Sequence, residues 1–135
     1  MVEQTIARIH RFRNDVEWRL IDEIPSPETL AGVDLWVDPA IDFCDFDGFV
    51  AEALVVGLQV VATRTPINSA RLEKGRTGFL APPSDPNEMT HAILAALFKP
   101  EVAAARVEAA RQTISKFRPR QRLRVLSHLY ETLSR

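Results

Sequence analysis

Two stretches of the chain carry residue types suited to holding a phosphorylated ligand. The first is Asp45-Phe46-Asp47-Gly48-Phe49, which runs into the apolar segment FVAEAL with Glu52 about one helical turn inside it. A helix N-terminus offers unpaired N–H groups and a partial positive charge, so a phosphate is a natural guest there. Gly48 lets backbone approach a ligand closely, and the Glu52 carboxylate is within reach of a sugar hydroxyl on the same ligand. The second stretch is Arg64-Thr65-Pro66, where Arg64, just past a strand end, is a candidate phosphate contact. The plainer alternative, on spacing alone, has Gly48 turning the chain and Glu52 on a solvated helix face.

Other reactive residue types point to less. Asp45-x-Asp47 is a D-x-D pair that could hold Mg²⁺ or Mn²⁺ through oxygen ligands. That motif normally follows an upstream nucleotide-binding unit, and little chain precedes it here, so no metal and no cofactor are expected. His10, His91 and His128 stand apart from one another without metal or triad spacing, which reads as solvated or packing histidines. Cys44 is the one cysteine, so an internal disulfide and a cysteine-based metal cage are both excluded. It has no His or Lys neighbour to make it a thiolate. Lys116, Arg118, Arg120, Arg122 and Arg124 form a basic cluster. Alternation by two on a helix spreads these charges around it, which favours a solvated face over nucleic acid or lipid, with contact to a partner domain second.

The elements that must position the first two stretches follow from periodicity. Val2, Ile6, Ile9 and Phe12 recur near helical spacing. Val16, Trp18 and Leu20 alternate with Glu17 and Arg19, as in a strand with one polar face. Ser26 can cap a short helix with Pro27 in its first position. Strands are expected at Val33–Val37, Leu58–Thr63 and Gly78–Ala81, with a helix from Phe49 ended by Gly57. The polar loop RTPINS leads into a short helical turn. Asp85, Pro86 and Glu88 form the start of a further helix, with a capping box and a face of Met89, Ile93 and Leu97. An Ala-rich helix over Glu101–Lys116 and a last one carrying Leu123, Leu126, Tyr130 and Leu133 complete the chain. Alternating strands and helices imply βαβ units, a parallel sheet and helices on both faces. In such sheets ligands sit beyond the carboxyl ends of the strands, which selects the loops Asp38–Gly48 and Thr63–Ser69.

The segments DLWVDPAIDFCDFDGFVAEALVVGLQVVAT and LEKGRTGFLAPPSDPNEMTHAILAAL resemble the C-terminal domain of family 4 (group 1) glycosyltransferases, over roughly Trp18 to the C-terminus; the LSHLYETL ending resembles the family's terminal helix. The resemblance implies a truncated Rossmann-like half of the GT-B fold. It also implies a role for Glu52 as the second glutamate of the family's E-x7-E pair, which holds the ribose of the nucleotide-sugar donor. Gly57 matches the helix-ending glycine, Val60 to Thr63 the next strand, and Gly75, Thr77 and Gly78 the Gly-x-Thr-Gly turn. Pro83 and Asp85 match the family's Pro-x-Asp. Counted without a gap, the first glutamate position falls on Cys44; one deleted residue puts Asp45 there, as the candidate catalytic carboxylate. Pro66 and Ile67 stand where the family has paired glycines, and Ala70 where it has a glutamate. The opening strand, the glycine-rich turn and the diphosphate-gripping Arg and Lys are without counterparts.

The chain has 135 residues, 46 % hydrophobic and 26 % charged, with a formal net charge of −1. That is ordinary for a soluble globular protein and calls for neither nucleic acid nor an anionic membrane. No stretch has the apolar length of a membrane span, and a cytoplasmic location is expected. The expectation is therefore one partial nucleotide-sugar-binding domain over 1–135, with a leading helix over 1–15 and a C-terminal helix over 118–135. It would take a UDP-, GDP- or ADP-sugar for hexosyl transfer to an acceptor hydroxyl, beside an N-terminal-domain partner or a second copy of itself. The rival expectation is a degenerate, non-catalytic interaction module or partner subunit on the same fold. A receiver-like signalling domain is disfavoured, because its acidic pair, phospho-acceptor Asp and Lys cannot be laid out in order.

Overall fold

The computed structural model describes residues 2–21, 25–39 and 49–115. Each element has a local cause. Helix α1 (Val2–Phe12) buries Thr5 and Ile9 and leaves its polar face outward. Helix α2 (Pro27–Ala31) starts as its sequence requires: Ser26 Oγ accepts the N–H of Thr29 at 3.0 Å and Pro27 opens the first turn. Strand β1 (Leu35–Asp38) follows, then helix α3 (Val50–Val55) and strand β2 (Gln59–Thr63). The junction between α3 and β2 is a Schellman ending. Gly57 takes φ +86° and donates to Leu54 O at 3.1 Å, while Leu58 N donates to Ala53 O at 3.0 Å. Only glycine enters that left-handed conformation without side-chain strain.

Helix α4 (Pro66–Arg71), a 3-10 turn at Glu73–Gly75 and strand β3 (Phe79–Ala81) come next, followed by helices α5 (Pro86–Phe98) and α6 (Pro100–Ser115). The three strands are parallel in the order β1-β2-β3; Asp38 lies opposite Ala62, and Thr63 opposite Ala81. The period-2 geometry of a strand divides the sheet's side chains between two layers. Val61, Phe79 and Ala81 pack with Ile9 of α1 and with Met89, Ile93 and Ala96 of α5. Trp36, Val60 and Ala62 pack on the other face with Leu30 of α2, with Val50 and Ala53 of α3, and with Leu72. The expected α/β architecture, a Rossmann-like parallel sheet covered on both faces, is therefore observed. Each large apolar side chain buried here contributes about 1.5–3 kcal/mol relative to exposure.

Two expectations change. Residues 13–21 form no strand: Val16 and Trp18 pack on the first layer, but the segment joins no ladder, and Leu20 is 86 % exposed. Alternation reports one-sided burial, and an extended segment achieves that without strand pairing. In α5, Asp85 Oδ1 accepts the N–H of Glu88 at 3.1 Å as a cap should, but the Glu88 carboxylate lies 3.9 Å from His91 Nδ1, one turn on. The Ala-rich helix stands as α6, against α5 and α3, with Ala103 and Ala110 buried. Its Arg106 guanidinium lies 4.2 Å from the centroid of the Phe79 ring and donates to Gly75 O at 3.2 Å. The helix expected over 118–135, the basic cluster and His128 lie outside the described residues.

Of the described glycines, Gly78 has the tightest surroundings. A Cβ built there would stand 2.8 Å from Leu72 Cδ2 and 3.0 Å from the carbonyl oxygen of Val60. Gly78→Ala should lower stability by about 1–3 kcal/mol, read from urea unfolding at constant m-value. An unchanged midpoint would show that Leu72 moves aside freely.

Candidate functional site

The carboxyl ends of β1, β2 and β3 form one rim, and the residues singled out from the sequence divide around it. Glu52 is the third residue of α3, in its first turn. It is 5 % exposed, not solvated as its plainer reading had it, and its Oε2 has no hydrogen-bond partner among the described residues. A buried acceptor left in that state costs about 1–3 kcal/mol. Phe49 precedes the helix at φ +56°, ψ +30° with no side-chain cap, and its carbonyl accepts from Ala53 N at 3.1 Å. A bulky residue in the left-handed region is strained by an amount of order 1–3 kcal/mol. Strain and an unpartnered carboxylate oxygen thus meet in one helical turn.

The second loop is built differently from the expected polar connection. Thr65 is the N-cap of α4, buried, with its Oγ1 accepting the N–H of Asn68 at 3.1 Å, and Pro66 occupies the first helical position. Arg64 is exposed at the end of β2, and its backbone N–H donates to Ala81 O at 2.7 Å. Asp45, Phe46, Asp47 and Gly48, together with Cys44, lie outside the described residues. The rim therefore brings Glu52, Phe49, Arg64, Thr65 and Pro66 to the same end of the sheet.

Sequence reasoning passed over the rim's most connected pair. Asn68 Nδ2 donates to Asp38 Oδ2 at 3.0 Å and to Thr63 O at 3.0 Å. Both side chains are buried. A signal existed for Asp38: it stands two residues after Trp36, on the same inward face of the strand. Expected as the first residue of the loop Asp38–Gly48, it is the last residue of β1 and is buried. For Asn68, inside a polar loop reading, nothing local announced burial.

The resolved charges elsewhere leave the rim alone. Hydrogen bonds from Arg13 and Arg111 hold Asp15 and Glu108 below the ordinary carboxylate range, and both pairs are on the surface. A cavity of about 920 Å³ lies along the outer edge of β1, walled by Val16, Trp18, Leu35, Val37 and Phe98 among others. Its size would suit a ligand. It runs beside the edge strand rather than beyond the strand ends, and core side chains build much of its wall, so we place the candidate site at the rim. Among the described residues no group of three His, Cys, Asp or Glu side chains is arranged to hold a metal ion, and no helix is long and apolar enough to cross a membrane.

The family model for glycosyl transferases group 1 matches residues 3–98. The chain belongs to that family. The match runs from the first turn of α1 to the last residue of α5, so it contains all three strands, Glu52 and the whole described rim. It starts earlier than Trp18 and does not reach the LSHLYETL segment. Comparison with curated proteins finds no match.

The unpartnered oxygen of Glu52 makes a stability prediction. Glu52→Met fills a similar volume without a polar atom, and should raise the midpoint of the ligand-free protein by an amount worth roughly 1–2 kcal/mol. Differential scanning calorimetry would measure it. A lowered midpoint would mean that the carboxylate is held by the fold itself.

Proposed function

We propose that residues 1–135 are one partial nucleotide-sugar-binding domain, the donor half of a GT-B-type glycosyltransferase, taking a UDP-, GDP- or ADP-sugar at the rim. The observation that carries this reading is the buried carboxylate of Glu52, with Oε2 unpartnered at the carboxyl end of a parallel sheet. A carboxylate that the fold leaves unsatisfied suits a ligand hydroxyl, here one of the donor's ribose. A ligand that reaches Oε2 displaces the atoms now covering it.

The other roles follow from position. The amides of Gly48 and Phe49 lead into α3 and stabilise negative charge developing on the leaving diphosphate. Arg64, exposed at the next strand end, gives a charged contact to the same phosphates, with Thr65 and Pro66 shaping the backbone beside it. Asp45 takes the position of the family's first glutamate, and Phe46 and Asp47 are assigned to the nucleotide-sugar. The reaction is hexosyl transfer to an acceptor hydroxyl, and this domain transfers nothing without an acceptor-binding half, supplied by an N-terminal-domain partner or arranged by self-association. No metal or nucleic acid enters the proposal, and the single cysteine suits a reducing cytoplasm.

One observation favours a second reading, a degenerate interaction module or partner subunit. Pro66 at the start of α4 removes an N–H that a glycine there would present, and Thr65 Oγ1 already caps the helix. The two readings separate by calorimetric titration with UDP, GDP, ADP and their common sugar conjugates. Saturable, nucleotide-selective binding is expected, and Glu52→Ala should weaken it about ten- to a hundredfold. Equal affinity in the variant removes Glu52 from the site. Absence of any binding at millimolar ligand turns the assignment to the interaction module.

A further inference from the structure

One buried side chain joins the two halves of the rim and has no part in the proposed chemistry. Asn68 is 2 % exposed and sits in the first turn of α4. A primary amide has two N–H groups, and its nitrogen is shared between the two strands: Nδ2 lies 3.0 Å from Asp38 Oδ2 and 3.0 Å from Thr63 O. Its own backbone N–H is bound by Thr65 Oγ1 at 3.1 Å. Asp38 is the last residue of β1, where the chain leaves for the loop that leads to Phe49 and Glu52. Thr63 is the last residue of β2, directly before Arg64.

The ladder between β1 and β2 already pairs Asp38 with Ala62, so the strands do not need Asn68 to stay together. What the amide adds is direction. Apolar packing tolerates small slides, whereas a buried hydrogen-bond network holds only near one geometry and is strong where water is excluded. The network stands where both site-bearing loops depart. We propose that Asn68 is a positioning residue, which fixes the carboxyl end of β1 at Asp38 against the carboxyl end of β2 that leads into Arg64. This rests on the rim being the nucleotide-sugar site.

The consequence is a split between binding and stability. Asn68→Asp keeps the shape but replaces the donor by an oxygen facing Asp38 Oδ2 and Thr63 O. Adding Asp38→Asn to it returns a donor to the pair from the opposite side. Ile93→Val, in the distant α5 layer, serves as a control for general loosening. Titrations with UDP, GDP, ADP and their sugar conjugates would be run well below each variant's melting midpoint. Asn68→Asp should weaken binding of whichever conjugate the unaltered protein takes by about tenfold or more, the double variant should recover part of that loss, and the control should stay within about twofold. If Asn68→Asp does not fold, Asn68→Ser gives the same reading, because its short hydroxyl cannot span both acceptors. Affinity unchanged in a folded Asn68 variant would overturn the positioning role and leave the nucleotide-sugar site standing. An unaltered protein that binds none of these ligands would overturn both.

Discussion

The whole arrangement depends on burying both faces of β2. A parallel strand in the middle of a sheet has no solvent side, and Val60, Val61 and Ala62 are accordingly apolar without alternation, pointing by turns to two different helical layers. That requirement calls for α1 and α5 on one side and α2 and α3 on the other. It also has a weakness. A strand that is apolar on both faces carries little register information of its own, since a one-residue slip puts one apolar set in place of the other. Register must come from the neighbours: Trp36 on β1, Phe79 on β3, and the polar tie among Asp38, Asn68 and the Thr63 carbonyl at the strand ends.

Much of this was legible in the residues because the local signals agreed with one another. Ser26-Pro27 and Asp85-Pro86 announced helix starts, Gly57 announced a helix end, and each lies where its chemistry requires. The misreadings share one physical origin. Val16 to Leu20 alternated like a strand, and Glu88 had capping-box spacing, but both readings took a local pattern as proof of a particular partner. Pairing is decided by the folded surroundings: residues 13–21 find packing without a ladder, and the Glu88 carboxylate lies beside His91, one turn on.

The rim was legible in its position and less so in its construction. The rule that ligands gather beyond the carboxyl ends of parallel strands selected loops there, and the structure puts Glu52, Phe49 and Arg64 at that end of the sheet. It said nothing of burial, and the burial of Glu52 separates it from an ordinary surface glutamate. Nor could it anticipate that the left-handed residue before α3 is Phe49 rather than a glycine. Asp38 and Asn68 were hidden for a different reason: polar residues in a connection are usually solvated, and only the folded chain shows that these two are enclosed.

Arg106 gives the molecule's anatomy a further meaning. The family match ends at residue 98, at the close of α5, yet α6 packs back through buried Ala103 and Ala110, and its Arg106 guanidinium covers the Phe79 ring and holds the Gly75 carbonyl. A fragment cut at the edge of the family match would strip the flank of β3 and leave its aromatic ring facing water. The edge of the family match and the edge of the packed layers therefore do not coincide: α6 lies beyond residue 98 and still packs on α5 and α3.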